Sequence, residues 1–337
     1  MSFASSSESA TEIFRPQVGA LPLPLHRVNG EKPRDIDNIS ALIRRGKAWA
    51  AINNIFQLMS DKRASMTRDA WKHYVENEVR GSSDIKAFAH ACPFTQRCVA
   101  RPRGYAGDAV MMDYIYGIAS DITPSQLDSG AEEVYRYTTN APASRAVRYR
   151  RKLLARYIDA ACLANPGTAN ILAIACGHFR EAELSLEIPK HNFASIVALD
   201  QDEHSLATVT SHYARHGITP MRGSVKNLIV GKNKFPAEYD LVYSAGLYDY
   251  LEAPIAKRLT ENLFASLRSK GTLLLANFLP DIPDVGYMEC LMDWWLIYRS
   301  DAEMLALISG IDANNIAHYK IFRDPEENIV FLEVTRR

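Results

Sequence analysis

The chain has 337 residues, 47% of them hydrophobic, and its 39 Lys and Arg balance 39 Asp and Glu to a formal net charge of zero. That length accommodates one large α/β unit plus a smaller one with ample core. The balanced charge carries no electrostatic footprint for nucleic acid, and no apolar stretch reaches the ~18 residues that a membrane span needs.

The opening Met1-Ser2-Phe3-Ala4-Ser5-Ser6-Ser7 has neither the basic nor the apolar region of a signal peptide. Residues 1–33 are rich in Ser, Pro and Gly, with Leu21-Pro22-Leu23-Pro24-Leu25 among them, and read as a flexible N-terminal arm. From Asp35 onward Ile36, Ile39, Leu42 and Ile43, then Trp49, Ile52, Ile55, Phe56 and Met59, recur at helical spacing. Trp71, Tyr74, Val75 and Val79 continue the pattern, and Ser82-Ser83-Asp84 suits a helix N-cap before Ile85. The chain is thus expected to be mostly helical over 34–165, with a turn-rich interruption at 101–108. We draw a helical lid domain at 34–144 and a cofactor-binding domain at 145–337. Five scattered cysteines (Cys92, Cys98, Cys162, Cys176, Cys290) show no paired spacing, so reduced thiols and a cytoplasmic setting are expected. No internal repeat or metal-ligand spacing stands out.

After residue 170 the period changes. Ile171–Cys176, Ile196–Asp200, Thr219–Gly223, Asp240–Ser244 and Thr272–Phe278 read as parallel strands buried on both faces. Asn315–Arg323 and Asn328–Thr335, joined by Asp324-Pro325-Glu326-Glu327, read as a terminal hairpin. The expected fold is α/β, a doubly wound, mostly parallel seven-stranded sheet with a helical N-terminal domain.

The first strand runs into Gly177, which is expected to turn into a helix, and the second stops on Asp200. A strand, a tight glycine turn and a second strand ending in a carboxylate describe an adenosine-cofactor site. A dinucleotide would need G-x-G-x-x-G to cradle its pyrophosphate, and here Ala175 and Phe179 flank a single glycine. A phosphate-free ligand with a zwitterionic tail is better tolerated. No G-K-[ST] follows, which excludes a P-loop. Asp200 has a competing reading as a helix N-cap, for which Asp202 is the better candidate.

The order Ile171–Gly177, Asp200, Tyr239–Ser244 and Gly271–Leu275 resembles the class I S-adenosylmethionine-dependent methyltransferases over about 145–337. The resemblance implies S-adenosylmethionine as cofactor. It implies that Ala175, Cys176, Gly177 and His178 wrap the methionine tail, that Asp200 with neighbouring Gln201 holds the ribose, and that Gly223 and Ser224 flank the adenine. Ser244, Ala245 and Gly246 would then face the sulfonium and the acceptor. Pro102–Asp108, Tyr243–Leu251 and Asp293–Arg299 resemble, more narrowly, bacterial proteins that make 3-hydroxypalmitic acid methyl ester, an extracellular signal. That likeness implies a small-molecule acceptor, methylated at a carboxyl or hydroxyl oxygen.

Several side chains are candidates for the chemistry. Arg103-Gly104-Tyr105-Ala106-Gly107-Asp108 reads as a lid turn, with Tyr105 and Asp108 as acceptor or cofactor contacts and Arg103 as an anion clamp. The alternative is a tight interhelical turn. In Ala146–Lys152 the helical spacing brings Arg148 and Arg151 to one side, and Arg148 is a candidate for the cofactor carboxylate. Tyr248, Asp249 and Tyr250 follow the fourth strand where open sheets place ligands, and Tyr248 and Asp249 are read as acceptor-positioning. His178 fits a structural donor better than a base. Trp294, Trp295, Ile297 and Tyr298 fit core, pocket wall or an interface, leaving room for a homodimer, and Arg299 is a candidate for a substrate carboxylate. Arg103, Arg148 and Arg299 would serve an anionic acceptor; Asp108, Asp249 and Glu181 would serve a cationic nitrogen. A silent scaffold that only binds an adenosine ligand is the reading from a different class.

Overall fold

The computed structural model describes residues 35–118, 121–230 and 238–337, so the expected arm at 1–33 lies outside them. Among the described residues eight α-helices precede the first strand: α1 (Ile36–Arg44), α2 (Ala48–Ser65), α3 (Arg68–Tyr74), α4 (Ser83–His90), α5 (Pro93–Ala100), α6 (Ala109–Tyr116), α7 (Ser129–Thr139) and α8 (Pro142–Ala164). Four of their starts carry side-chain caps, whereas Ser82 occupies the expected N-cap position of α4 without a side-chain bond. Asp35 accepts from the Asn38 N–H, Thr67 from Ala70, Asp108 from Val110 and Met111, and Asp128 from Gly130 and Ala131. Helix α2 buries Ile52, Ile55, Phe56 and Met59 as its spacing predicts. Trp49 instead stays 40% exposed, edge-on to Tyr137. The turn-rich break falls at 101–108, opened by Arg101 in the left-handed region (φ 47°).

The sheet has seven strands: β1 (Asn170–Ile174), β2 (Ser195–Asp200), β3 (Ile218–Arg222), β4 (Tyr239–Ser244), β5 (Leu267–Phe278), β6 (Ile316–Arg323) and β7 (Ile329–Arg336). They lie in the order β3-β2-β1-β4-β5-β7-β6. The first five are parallel, and β7 runs antiparallel to both β5 and β6. This is the class I methyltransferase fold, a Rossmann-like doubly wound sheet. Order reverses between β1 and β4, and ligands bind beyond the strand ends at such a switch point. Helices α9 (Glu203–Tyr213), α10 (Val225–Ile229), α11 (Ala253–Ala265), α12 (Val285–Leu291) and α13 (Asp301–Ala306) complete the fold.

One expected element is absent. No helix follows Gly177; a single 3₁₀ turn, Arg180–Leu184, takes its place. Asp159 on α8 explains where the turn stops. Its carboxylate accepts the Ser185 hydroxyl at 2.5 Å and the backbone N–H groups of Leu186 and Glu187 at 3.0 and 3.2 Å. Those amides would otherwise have carried the helix forward.

Pro33–Arg337 forms one compact unit, so the helical segment and the sheet share a core. Phe56 stacks on Tyr287 with ring centroids 4.3 Å apart. Glu289 accepts from Trp71 Nε1 at 2.7 Å and Arg63 Nε at 2.8 Å. At the crossing of α12 and α2, a Cβ on Gly286 would sit 2.5 Å from the Met59 carbonyl. Gly286→Ala should therefore force the two backbones apart and destabilise the fold by about 1–3 kcal/mol, read in urea unfolding. An unchanged midpoint would show that the helices separate at no cost. All five cysteines are free, and among the described residues no helix is long and apolar enough to cross a membrane.

Candidate functional site

A cavity of about 440 Å³ opens over the carboxyl ends of β1, β2 and β4, within the size range of small-molecule sites. Its floor is the loop after β1, where Ala175, Gly177 and Phe179 all take positive φ (52°, 53° and 54°). A Cβ on Gly177 would also come within 3.2 Å of the Ala109 Cβ at the start of α6, so glycine suits the close approach here as well as the positive φ. The Gly177 N–H donates to Asp200 Oδ2 at 2.8 Å, and the Asp202 N–H donates to Oδ1 at 2.9 Å. Burial pushes the Asp200 carboxyl above its usual range against these amide bonds. Asp202, not Asp200, caps α9.

Cavity-lining residues include Arg103, Tyr105, Ala175, Cys176, Gly177, His178, Asp200, Gln201, Gly223, Ala245, Gly246 and Asp249, all expected from sequence. They divide into two ends. Leu199, Asp200, Gln201, Gly223, Val225 and Leu228 make one, mostly apolar with a carboxylate beside it. Met112, Leu247, Tyr250, Phe278 and Trp294 make the other, while Tyr105 lies close enough to Asp200 to feel its charge. Trp294 Nε1 donates to the Tyr250 hydroxyl at 2.8 Å, and a Cβ on Gly107 would fall 2.3 Å from the Trp294 ring. The 101–108 turn thus lies directly on the wall of the cavity.

Six expected residues are used elsewhere. Asp108 is 1% exposed, caps α6 and takes two hydrogen bonds from Arg97 Nε and one from its Nη2 at 2.7 Å. Tyr248 shares a hydrogen bond with Thr260 at 2.9 Å inside the core. Ser224 caps α10, and the Ser244 hydroxyl donates to the Ile174 carbonyl, tying β4 to β1. Arg148 spends its guanidinium on the carbonyls of Ile115 and Thr139 and on Asn140. Arg299 holds the Tyr248 and Leu251 carbonyls and Asn277 Oδ1, so it braces the loop that carries Asp249. Arg103 does line the cavity, but it is no free anion clamp: it pairs with Asp202 at 2.7 Å and donates to Ser205.

Asp249 is 3% exposed and accepts the Phe278 N–H at 2.8 Å. Burial pushes its carboxyl up to about 7, against that amide and the more distant Arg150 and Arg299. Glu181, also buried and raised by burial, accepts the Tyr243 hydroxyl at 2.6 Å.

Among the described residues three arginines line the cavity, Arg103, Arg150 and Arg180, and the one without an ion-pair partner is Arg150. It is 6% exposed and donates to the Ala245 carbonyl at 2.5 Å, with no carboxylate in ion-pairing distance among the described residues. Val147, Arg150 and Leu154 line the cavity together, at i, i+3 and i+7 of α8. The apolar spacing of Val147 and Leu154 was the available signal, while the mutual spacing of the arginines pointed to the wrong face. Asp113 on α6 is a second unexpected member. It accepts from His178 Nδ1 at 2.8 Å and from Arg180 Nε and Nη2 at 2.9 and 2.8 Å, fastening the β1 loop to the helical segment.

No family model matches the chain, and no curated protein is significantly similar to it. Among solved structures it is similar to a possible exported protein from Bordetella parapertussis, at 15% identity over 80% of this chain and 99% of that one, with a TM-score of 0.51. A magnesium protoporphyrin IX methyltransferase from Synechocystis PCC 6803 with bound S-adenosylhomocysteine scores 0.42, at 15% identity over 58% of this chain and 88% of that one. N-methyltransferase NodS from Bradyrhizobium japonicum WM9 scores 0.40, at 12% identity over 56% and 96%. Likeness at such identity speaks for the fold alone.

Proposed function

We propose that the protein is an S-adenosylmethionine-dependent methyltransferase acting at an oxygen of a small molecule. The observation that carries this reading is Asp200 at the end of β2, hydrogen-bonded to Gly177 of the β1 loop and lining one continuous cavity with it. The residues present suit the cofactor. Asp200 can accept ribose hydroxyls, Val225 and Leu228 offer an apolar slot for a base, and Arg150, a buried cation with no counter-ion among the described residues, can take the amino-acid carboxylate. The narrow loop around one glycine leaves a pyrophosphate poorly held. The bound cofactor supplies a methyl group activated on a sulfonium. The chain supplies approach geometry and water exclusion, through Tyr105, Gly107 and Trp294 over the cavity. A nitrogen acceptor is the second reading, because the two wall carboxylates Glu181 and Asp249 would attract a cationic ligand.

Calorimetry tests the cofactor. S-adenosylmethionine and S-adenosylhomocysteine should bind saturably and NADH should not; the reverse result sinks the proposal. Asp200→Ala should weaken cofactor binding by roughly 1.5–3 kcal/mol, the scale of a hydrogen bond to a charged group. An unchanged dissociation constant in a folded variant would remove Asp200 from the site.

A further inference from the structure

We infer that the methyl acceptor is an uncharged hydroxyl compound with an apolar body, and that the Asp249 carboxylate takes its hydroxyl proton. This rests on the methyltransferase reading above and names the acceptor class within it.

The first ground is the isolation of Asp249. It lines the cavity, it is 3% exposed, and its side chain accepts one backbone N–H, from Phe278 on β5. The charged and titratable groups around it are Arg150 from α8, Tyr248 and Tyr250 beside it in the chain, and Tyr298 and Arg299 from the segment after α12; Tyr105 of the lid turn lines the same cavity. Neither arginine is in ion-pairing distance. Arg150 is held by the Ala245 carbonyl, and Arg299 by the Tyr248 and Leu251 carbonyls and Asn277. A buried carboxylate in this position, raised by desolvation to about 7, has a base strength matched to neutral pH.

The second ground is the supply of cations. Arg103 is paired with Asp202, and Arg180 with Asp113. Arg150 is the counter-ion for the cofactor's carboxylate in our reading, which leaves no cavity-lining arginine among the described residues for a second anion. A carboxylate acceptor would meet Asp249 as a like charge in a buried place. An amine would meet it as an ammonium, and the carboxylate would favour that protonated, non-nucleophilic form. A neutral hydroxyl incurs neither penalty, and Met112, Leu247, Phe278 and Trp294 suit an apolar body. In the step, a C–O bond forms between the methyl carbon and the hydroxyl oxygen. The C–S bond breaks with its electron pair left on sulfur, and the hydroxyl proton passes to Asp249.

Matched probes test this: 2-naphthol, 2-naphthoate and 2-naphthylmethylamine, and 1-octanol, octanoate and octylamine. Each is titrated calorimetrically into full-length protein loaded with S-adenosylhomocysteine, then assayed for methylation with S-adenosylmethionine. At least one hydroxyl compound should bind ten times more tightly than its matched acid and amine, and be methylated. Its kcat/KM should rise about tenfold per pH unit below about 7 and level off above, because Asp249 accepts a proton only when ionised. Asp249→Asn should lower that rate about a hundredfold with the S-adenosylhomocysteine dissociation constant within twofold, and Asp249→Glu should restore part of it. Tighter binding of the acids or amines, no binding or no methylation of either hydroxyl compound, or a flat wild-type pH profile overturns the inference. Failure of S-adenosylhomocysteine to load is a different result and brings down the methyltransferase reading itself.

Discussion

A chain beginning at Arg145 should show neither methyl transfer nor a cooperative unfolding transition. The helical segment is expected from sequence to complete the site as a lid, and the structure gives it a second job in the core. Removing residues 1–144 strips Phe56 from Tyr287, Thr95 from the Tyr287 hydroxyl, and both Trp71 and Arg63 from buried Glu289. It also takes Arg80 and Arg101 from Asp293, whose neighbour Trp294 walls the cavity. Ile52, Ile55, Phe56, Met59 and Trp71 are each under 5% exposed. Burying one such side chain is worth ~1.5–3 kcal/mol, so losing these partners rivals the ~5–15 kcal/mol that holds a domain together. Near-ultraviolet circular dichroism and urea unfolding of the shortened chain check this. A sharp transition with wild-type turnover would show that the core stands and works alone.

The legibility of this chain follows the range of the interactions. Strand β2 and its terminal Asp200 are visible in the sequence because a doubly buried strand must be apolar and its end must be polar. Asp202 is recognisable as the α9 cap for an equally local reason, its side chain reaching the His204 N–H two residues on. What sequence reading missed is set by distant partners. The helix after Gly177 stops short because Asp159, 26 residues before Ser185, takes the next amides. Arg299 looks like a substrate ligand until the fold brings Tyr248 and Leu251 to it from about fifty residues away. Asp108 sits in a lid-like motif, yet Arg97 one helix earlier takes its carboxylate. For Arg299 and Asp108 the residue type is right for binding, and another part of the chain had already bound it.

Asp113→Ala should be the most damaging single substitution outside the apolar core. Asp113 holds His178 and, through two bonds, Arg180, and both are under 9% exposed. Burial alone would push the Asp113 carboxyl up, but the hydrogen bonds and charges of His178 and Arg180 outweigh it and hold the group below its usual range. Without it Arg180 keeps Glu183, at 3.0 Å, and the Tyr213 hydroxyl, and a buried cation loses its main counter-ion. Breaking such a pair from one side costs about 3–5 kcal/mol. The pH dependence has a definite sign. A depressed carboxyl contributes stability that is fully present above its unfolded value of 3.8 and is lost as pH falls through the lower folded value. The gap between wild type and Asp113→Ala in urea unfolding should thus be constant from about pH 6 to 8 and close below about pH 4. The β1 loop depends on the same bridge for its three left-handed residues, so cofactor affinity should fall with stability. A variant with wild-type unfolding and wild-type cofactor binding at pH 7 would show that the loop keeps its shape through Asp200 alone.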